Sequence, residues 1–308
     1  MKAITYSTFG SADVLQLTDL PEPHIGPDSM VVEVRAVGLN PVDYKIREGY
    51  LEGLIDINLP AVPGWDVSGV VVKPGLDTPE FKEGDEVFAY ARKDIVAGGT
   101  LAERVAVPAR TAAHKPRTVS HELAAAVPLA GLTALQMLRR AGVGEGSRVL
   151  IHGASGGVGS FGVQIAKAWG AHVVGTASAR NHTYVCDLGA EHIEYGDGLI
   201  ERAAEMMPHG YDAIVDFAGG ESLEGNEALL APEGVVASIA DARAATDFDG
   251  IYGWVRPDSA DLTELARMID AGDLRIEVAR TYPLAEAADA YRELEGGHVR
   301  GKIVVTVS

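Results

Sequence analysis

Short β-rich runs broken by turns dominate roughly the first third of the chain. Met30-Val31-Val32-Glu33-Val34-Arg35-Ala36-Val37 alternates in part, and Val67-Ser68-Gly69-Val70-Val71-Val72 and Glu86-Val87-Phe88-Ala89-Tyr90 are further strand-like runs. Pro and Gly clusters separate them, at Pro21-Glu22-Pro23, Pro60 to Gly64, Pro74-Gly75 and Gly98-Gly99. Frequent turns between short strands predict a partly open barrel rather than a layered sheet.

From about residue 118 the pattern changes. Apolar β runs begin near 148, 172, 191, 212 and 235, roughly twenty residues apart, as βαβ units require. Helices are predicted between them over Val158–Trp169, Arg180–Leu188, Leu199–Met207 and Ser222–Leu230, with Gly170, Gly189 and Gly234 as candidate C-caps. Strand and helix in alternation give a parallel sheet. After about 256 the pattern gives a helix (Asp261–Ala271), a strand (275–281), a helix (Leu284–Leu294) and a strand (Lys302–Val307).

Composition narrows the function classes. The 308 residues carry 26 Lys+Arg against 44 Asp+Glu, a formal net charge of −18. Such a surface repels phosphate backbones, so nucleic-acid binding is disfavoured and any anionic ligand needs a local site. Cys186 is the sole cysteine, which excludes an intrachain disulfide and a Cys-rich zinc site. The most apolar stretch, Leu123 to Leu138, contains Pro128 and Gly131 and is short for a membrane span. A cytoplasmic location is expected.

The strongest chemical signal follows the run Arg148 to Gly153. Ala154-Ser155-Gly156-Gly157-Val158-Gly159 leads into an apolar helix. Backbone N–H groups must approach a pyrophosphate here, and a helix N-terminus favours its charge. Gly156 and Gly159 meet the second and third glycines of the dinucleotide fingerprint, and Ala154 stands for the first. The strand ending at Thr176 then runs into Ala177-Ser178-Ala179-Arg180. NAD-binding sites usually place a carboxylate there for the ribose 2′-hydroxyl. Ser178 and Arg180 instead suit a 2′-phosphate, so the expected cofactor is NADPH. The alternative for Arg180 is a solvated residue in the first turn of a helix.

Leu150, Ala154-Ser155-Gly156-Gly157, Gly159, Gln164 and Lys167 resemble the signature of the quinone oxidoreductase (zeta-crystallin-like) branch of the medium-chain dehydrogenase/reductases. Gly38 to Lys45, Pro63 to Gly69, Gly98 to Glu103, Leu129 to Ala134 and Gly296 to Val304 resemble further motifs of that family in its order. The resemblance implies an α/β protein. A Rossmann parallel-sheet domain (118–256) would be inserted in a GroES-like, partly open β-barrel domain (1–117 and 257–308), and the resemblance also implies a homodimer. At the catalytic-zinc positions of alcohol-oxidising relatives stand Asn40, Trp65, Asp66 and Leu129, which form no thiolate-rich site. No metal is expected, and without a Lewis acid alcohol oxidation is disfavoured.

The resemblance also implies that Thr133 contacts the nicotinamide and Tyr195 the adenosine phosphate. Phe217, Ala218, Ser238, Ile239, Trp254 and Val255 follow later strands, where open parallel sheets bind ligands; Lys302 in the closing motif joins the cofactor candidates. Trp65 and Trp254 could equally be core aromatics. Asn40, Asp43, Lys45 and Tyr50 are the polar candidates on the substrate side. Asn40 would donate to the developing oxyanion, and Lys45 or Tyr50 would relay a proton. Asp43 and Lys45 also read as a structural ion pair, and His152 as a buried, satisfied imidazole. The expected reaction is NADPH-dependent hydride transfer to a quinone or an α,β-unsaturated carbonyl. Alternatives are an enoyl-thioester reductase and a non-catalytic NADPH-binding sensor or structural protein.

Overall fold

The structure is a computed structural model that describes residues 1–307. It divides into two compact units. One comprises 1–132, 257–271 and 276–308, and the other 133–256 and 272–275. The division falls inside the helix Pro128–Arg140, later than the change of sequence pattern. The short helix His121–Ala125 accounts for this. Its Ala125 and the following Ala126 pack with Ala36 and Val304, and His121 Nδ1 lies 2.8 Å from Ser68 Oγ, so the helix belongs with the first unit's strands.

The first unit is built on a seven-stranded sheet. The central strand Ser29–Gly38 pairs antiparallel with Asp66–Lys73, Arg104–Pro108 and Lys302–Thr306. Glu86–Tyr90 and Ala112–His114 extend one side and Val278–Pro283 the other. β-Branched residues at alternate positions, including Val32, Val34, Val67, Val71, Ile303 and Val305, are buried together. Their burial at about 25 cal/mol per Å² is the dominant favourable term. Two smaller pairings accompany this sheet: Lys2–Thr5 with Gln16–Asp19, which precedes it in sequence, and Asp56–Val62 with Ile95–Gly98, whose strands fall between its own.

The second unit is a six-stranded parallel sheet. In spatial order its strands are Glu191–Glu194, His172–Ala177, Arg148–His152, Tyr211–Asp216, Leu230–Ser238 and Ile251–Tyr252. Numbered along the chain this is 3-2-1-4-5-6, the doubly wound dinucleotide-binding order. The helix Gly157–Ala168 buries Phe161, Val163, Ile165 and Ala166.

Two local expectations are corrected, and one strand goes unannounced by the sequence. Ser222–Leu230 is not one helix but two single 3₁₀ turns, Gly220–Leu223 and Asn226–Leu229. Gly225 between them is left-handed at φ +73° and breaks the ladder. Gly234 is not a helix cap: it lies within the strand Leu230–Ser238, and Glu233 adopts the positive φ instead. The sixth strand, Ile251–Tyr252, is too short to leave a hydrophobic pattern.

Candidate functional site

The phosphate-binding turn is set by its glycines. Gly153, at φ +72°, makes the tight turn out of the first strand. The left-handed role thus belongs to Gly153, and Ala154, at the position compared with the first fingerprint glycine, is buried. Gly156 caps the helix Gly157–Ala168 with no side chain. The N–H groups of Gly157, Val158 and Gly159, in the first turn, have no intrahelical partner by geometry, whereas Ser160 N already donates to Gly156 O at 3.0 Å. A Cβ on Gly156 would meet only Gly153 O, at 3.3 Å, whereas a Cβ on Gly159 would lie 2.1 Å from that same oxygen. Gly159 is therefore demanded by packing, while the protein leaves the space beside Gly156 open. That is a cradle a pyrophosphate fits.

Thr176 Oγ1 accepts from Gly153 N at 3.2 Å and lies 3.3 Å from His152 Nδ1. His152 Nε2 is 3.0 Å from Asn226 Oδ1, and burial holds the imidazole below its ordinary pKa. His152 is a satisfied buried group, as its place on an apolar strand suggests. Asn181 Nδ2 donates to Ser155 Oγ at 3.1 Å and Ser178 Oγ at 3.2 Å, joining the turn to the end of the second strand. Arg180 is exposed beside them. An open hollow of about 890 Å³ is lined by Ala179, His182, His192, Tyr195 and Arg202, among others.

The fourth strand ends in a knot that sequence reasoning missed. Buried Asp216 accepts from Ala218 N (2.9 Å), Gly219 N (3.0 Å), Ser222 Oγ (2.7 Å) and Ser238 Oγ (2.6 Å). Ser238 Oγ in turn accepts from Ala240 N at 3.0 Å and Asp241 N at 2.9 Å. Phe217 and Ala218 are thus fixed relative to Ser238 and Ile239. A Cβ on Gly162 would meet the Phe217 ring at 2.8 Å, so Phe217 packs on the helix. Thr133 is buried, Val255 is partly exposed, and Trp254 is 50% exposed and no core residue.

In the first unit, Asn40, Asp43, Asp66 and Lys302 meet. Asn40 opens the helix Pro41–Arg47, and Asp43 Oδ2 accepts from its backbone N at 2.8 Å. Asn40 Nδ2 donates to Asp66 Oδ2 at 2.9 Å and Gly38 O at 3.3 Å, while Asp66 Oδ1 accepts from Leu129 N at 2.9 Å. Lys302 Nζ donates to Leu39 O at 2.6 Å and to Asn40 Oδ1. All four side chains are buried. Burial pushes Asp43 and Asp66 up to about 7 and pulls Lys302 down, with the opposite charges resisting.

This arrangement corrects the substrate-side expectations. Both amide hydrogens of Asn40 are committed to protein acceptors, so Asn40 holds the cluster rather than presenting a donor. Asp43 has Lys302, not Lys45, as its cation. Positions two apart on a helix do not face each other, so Asp43 points inward while Lys45 is exposed. Tyr50 is 72% exposed and stands apart. Lys302 Nζ is held within the Asn40 cluster. Trp65 is buried, edge-on to Tyr90 at 5.8 Å. Among the described residues, no group of three or more His, Cys, Asp or Glu is arranged to hold a metal.

Residues 26–117 match the alcohol dehydrogenase GroES-like domain, and residues 188–305 match the zinc-binding dehydrogenase family. A curated relative from Arabidopsis thaliana, named an NADPH-dependent alkenal/one oxidoreductase, is 36% identical and is aligned over 99% of this chain and 79% of its own. The chain belongs to the quinone oxidoreductase branch of the medium-chain dehydrogenase/reductases. The quinone oxidoreductase from Coxiella burnetii superposes with a TM-score of 0.90 at 36% identity, covering 100% of this chain and 99% of that one. A protein titled an NAD-dependent alcohol dehydrogenase also superposes at 0.90, with 31% identity and full coverage of both chains. This member of the family is an oxidoreductase with a GroES-like domain and a Rossmann-like domain, and its coenzyme class is NAD(P)H. No described helix is long and apolar enough to cross a membrane.

Proposed function

We propose that the protein reduces a quinone, or the C=C bond of an α,β-unsaturated carbonyl compound, with NADPH and without zinc. The observation that carries this reading is the closed cluster of Asn40, Asp66 and Lys302. By resemblance, Asn40, Trp65, Asp66 and Leu129 occupy the positions where metal-dependent relatives keep two Cys, a His and a Glu. Here the polar groups are turned to one another, around an ammonium, and Trp65 and Leu129 offer no ligand atom. Such a donor set does not hold a Lewis acid for an alkoxide. It suits an acceptor that delocalises its own charge.

Bound at the glycine turn, NADPH would supply the hydride. The residues for it are the turn Ala154–Gly159, Thr176 and the strand-end groups Phe217, Ala218, Ser238 and Ile239, with Thr133, Trp254 and Val255. Ser178, Arg180 and Tyr195 would read the adenosine end, and the absence of a carboxylate after Thr176 supports NADPH over NADH. The protein's part is orientation and water exclusion. We place it in the cytoplasm as a homodimer; light scattering of the purified protein tests the dimer. The deciding experiment follows NADPH oxidation with quinones, 2-alkenals, enones and enoyl-CoA esters, with product analysis. Turnover confined to enoyl-CoA would overturn the reading in favour of a thioester reductase. Binding without turnover would favour a sensor.

A further inference from the structure

Two histidines at the edge of the parallel sheet have no part in the coenzyme reading. His182 opens the helix His182–Asp187, and His192 lies in the strand Glu191–Glu194. They are ten residues apart, so no spacing motif announces them as a pair. Their Nδ1 atoms are 3.0 Å apart, and their rings stand at 84° with centroids 4.8 Å apart. His182 is exposed and His192 half-buried, and both line the open hollow of about 890 Å³.

The partners of His192 fix its tautomer. A carbonyl oxygen only accepts, so the 3.1 Å contact between His192 Nε2 and Ala177 O places the proton of the neutral ring on Nε2. His192 Nδ1 is then a bare lone pair facing His182. This is the state in which a histidine binds a metal, its far N–H held by a backbone carbonyl. The ring positions agree. Two imidazole nitrogens 3.0 Å apart, each about 2.0–2.1 Å from one ion, subtend about 90° at it and put the ring centroids about 4.7 Å apart. A straight N–H···N bond of the same length puts them about 5.3 Å apart. The observed 4.8 Å fits lone pairs that converge.

We propose that His182 and His192 form a two-histidine site for a borderline divalent ion that favours right-angled coordination, Cu²⁺ or Ni²⁺. Imidazole suits both ions, and right angles belong to square-planar or tetragonal sites rather than to tetrahedral zinc. Mg²⁺ and Ca²⁺ demand oxygen ligands instead. The surrounding charge favours a cation. Glu194, Asp197 and Glu205 line the same hollow against the guanidinium of Arg202, which donates to Asp197 O and Glu194 O at 2.7 Å. Glu194 is two positions beyond His192, hence on the same face of its strand, and its carboxylate with water completes the coordination. The position is not that of the catalytic zinc of metal-dependent relatives, which by resemblance falls at Asn40, Trp65, Asp66 and Leu129 in the first unit.

The proton balance follows from the tautomers. In the neutral pair the shared proton sits on His182 Nδ1, and binding moves it to Nε2, where Cys186 Sγ lies 3.9 Å away on the same helix. When the pair is charged, binding releases a proton. Affinity therefore rises with pH through the histidine range and levels off once both rings are neutral.

The test titrates tag-free protein with NiCl₂, CuCl₂ or ZnCl₂ in a non-chelating buffer, followed by calorimetry. It compares wild type with His182→Ala, His192→Ala and, as a control at another exposed histidine, His209→Ala. Wild type and the control should bind one ion per chain, and each of the other two should bind it at least about tenfold more weakly. Circular dichroism checks that all four are folded. Wild-type affinity should be lower at pH 6 than at pH 7.5. The Cu²⁺-loaded wild type should give a tetragonal electron paramagnetic resonance spectrum with modulation from two imidazoles, reduced to one in either single variant. No saturable one-ion site in wild type, or unchanged affinity in both variants, would show the pair to be a hydrogen bond only. Zn²⁺ bound more tightly than Ni²⁺ would overturn the right-angled assignment. None of these outcomes depends on what the protein reduces.

Discussion

Two glycines of the same turn, Gly156 and Gly159, do different work, and substitutions separate them. The Cβ of Gly159→Ala would meet a backbone oxygen at 2.1 Å, so the strand and helix must move apart. We expect a loss of at least about 3 kcal/mol, or failure to fold, in urea melts. Gly156→Val meets only Gly153 O at the first added atom, at 3.3 Å. It should keep a near-normal circular dichroism spectrum yet lose NADPH binding by calorimetry, because its side chain enters the space reserved for pyrophosphate. Undiminished affinity would mean the phosphate site lies elsewhere. Arg180→Ala tests the coenzyme. A charge-assisted contact to a 2′-phosphate contributes about 1.5–3 kcal/mol, or about 10- to 100-fold. Its NADPH affinity should fall by at least about tenfold with little change for NADH, and Ser178→Asp should shift the kcat/KM ratio toward NADH. A wild type that prefers NADH would refute this reading of the loop.

At the level of elements, Asp216 ties the end of one strand to the next through four accepted hydrogen bonds. Asp216→Ala leaves two backbone N–H groups and two hydroxyls to find new partners. We expect a loss of about 3 kcal/mol or more in stability and weaker coenzyme binding, and a variant as stable as wild type would show the knot to be dispensable. The sheet strands around it were legible in the sequence because buried parallel strands are near-continuous apolar runs, as in Val149-Leu150-Ile151 and Ala213-Ile214-Val215. The knot itself was not. A lone Asp at a strand end has no periodic signal, and its partners are scattered from 218 to 238. Ser222–Leu230 misled for a related reason: its apolar spacing suits a helix, but Gly225 takes a left-handed conformation. Asp43 and Lys45 looked like a pair because they are near in sequence, whereas the helix turns them to different sides.

For the whole molecule, the buried carboxylates shape the response to pH. Burial raises Asp43 to about 7, so between the unfolded value near 3.8 and 7 the folded chain binds more protons than the unfolded one. Stability from this group therefore falls as pH rises across that window. Asp43→Asn should gain relative to wild type between pH 4.5 and 8 in urea melts, and a difference independent of pH would contradict the assignment. Metal analysis should find no zinc linked to activity, and chelators should leave the rate intact; one activity-linked zinc per chain would sink the zinc-free mechanism. The Asn40–Lys302 contact joins residues 262 apart, which no local pattern announces. It also sets a timetable for synthesis. At about 5–20 residues per second, a ribosome delivers Lys302 roughly 13–50 s after Asn40. Throughout that interval Asn40, Asp43 and Asp66 wait without their ammonium, and the strand Ser29–Gly38 lacks its neighbour Lys302–Thr306. The parallel-sheet unit is meanwhile complete to Tyr252, so the nascent chain passes through a stage in which the coenzyme fold can already be native while the barrel still has an open edge for chaperones to guard.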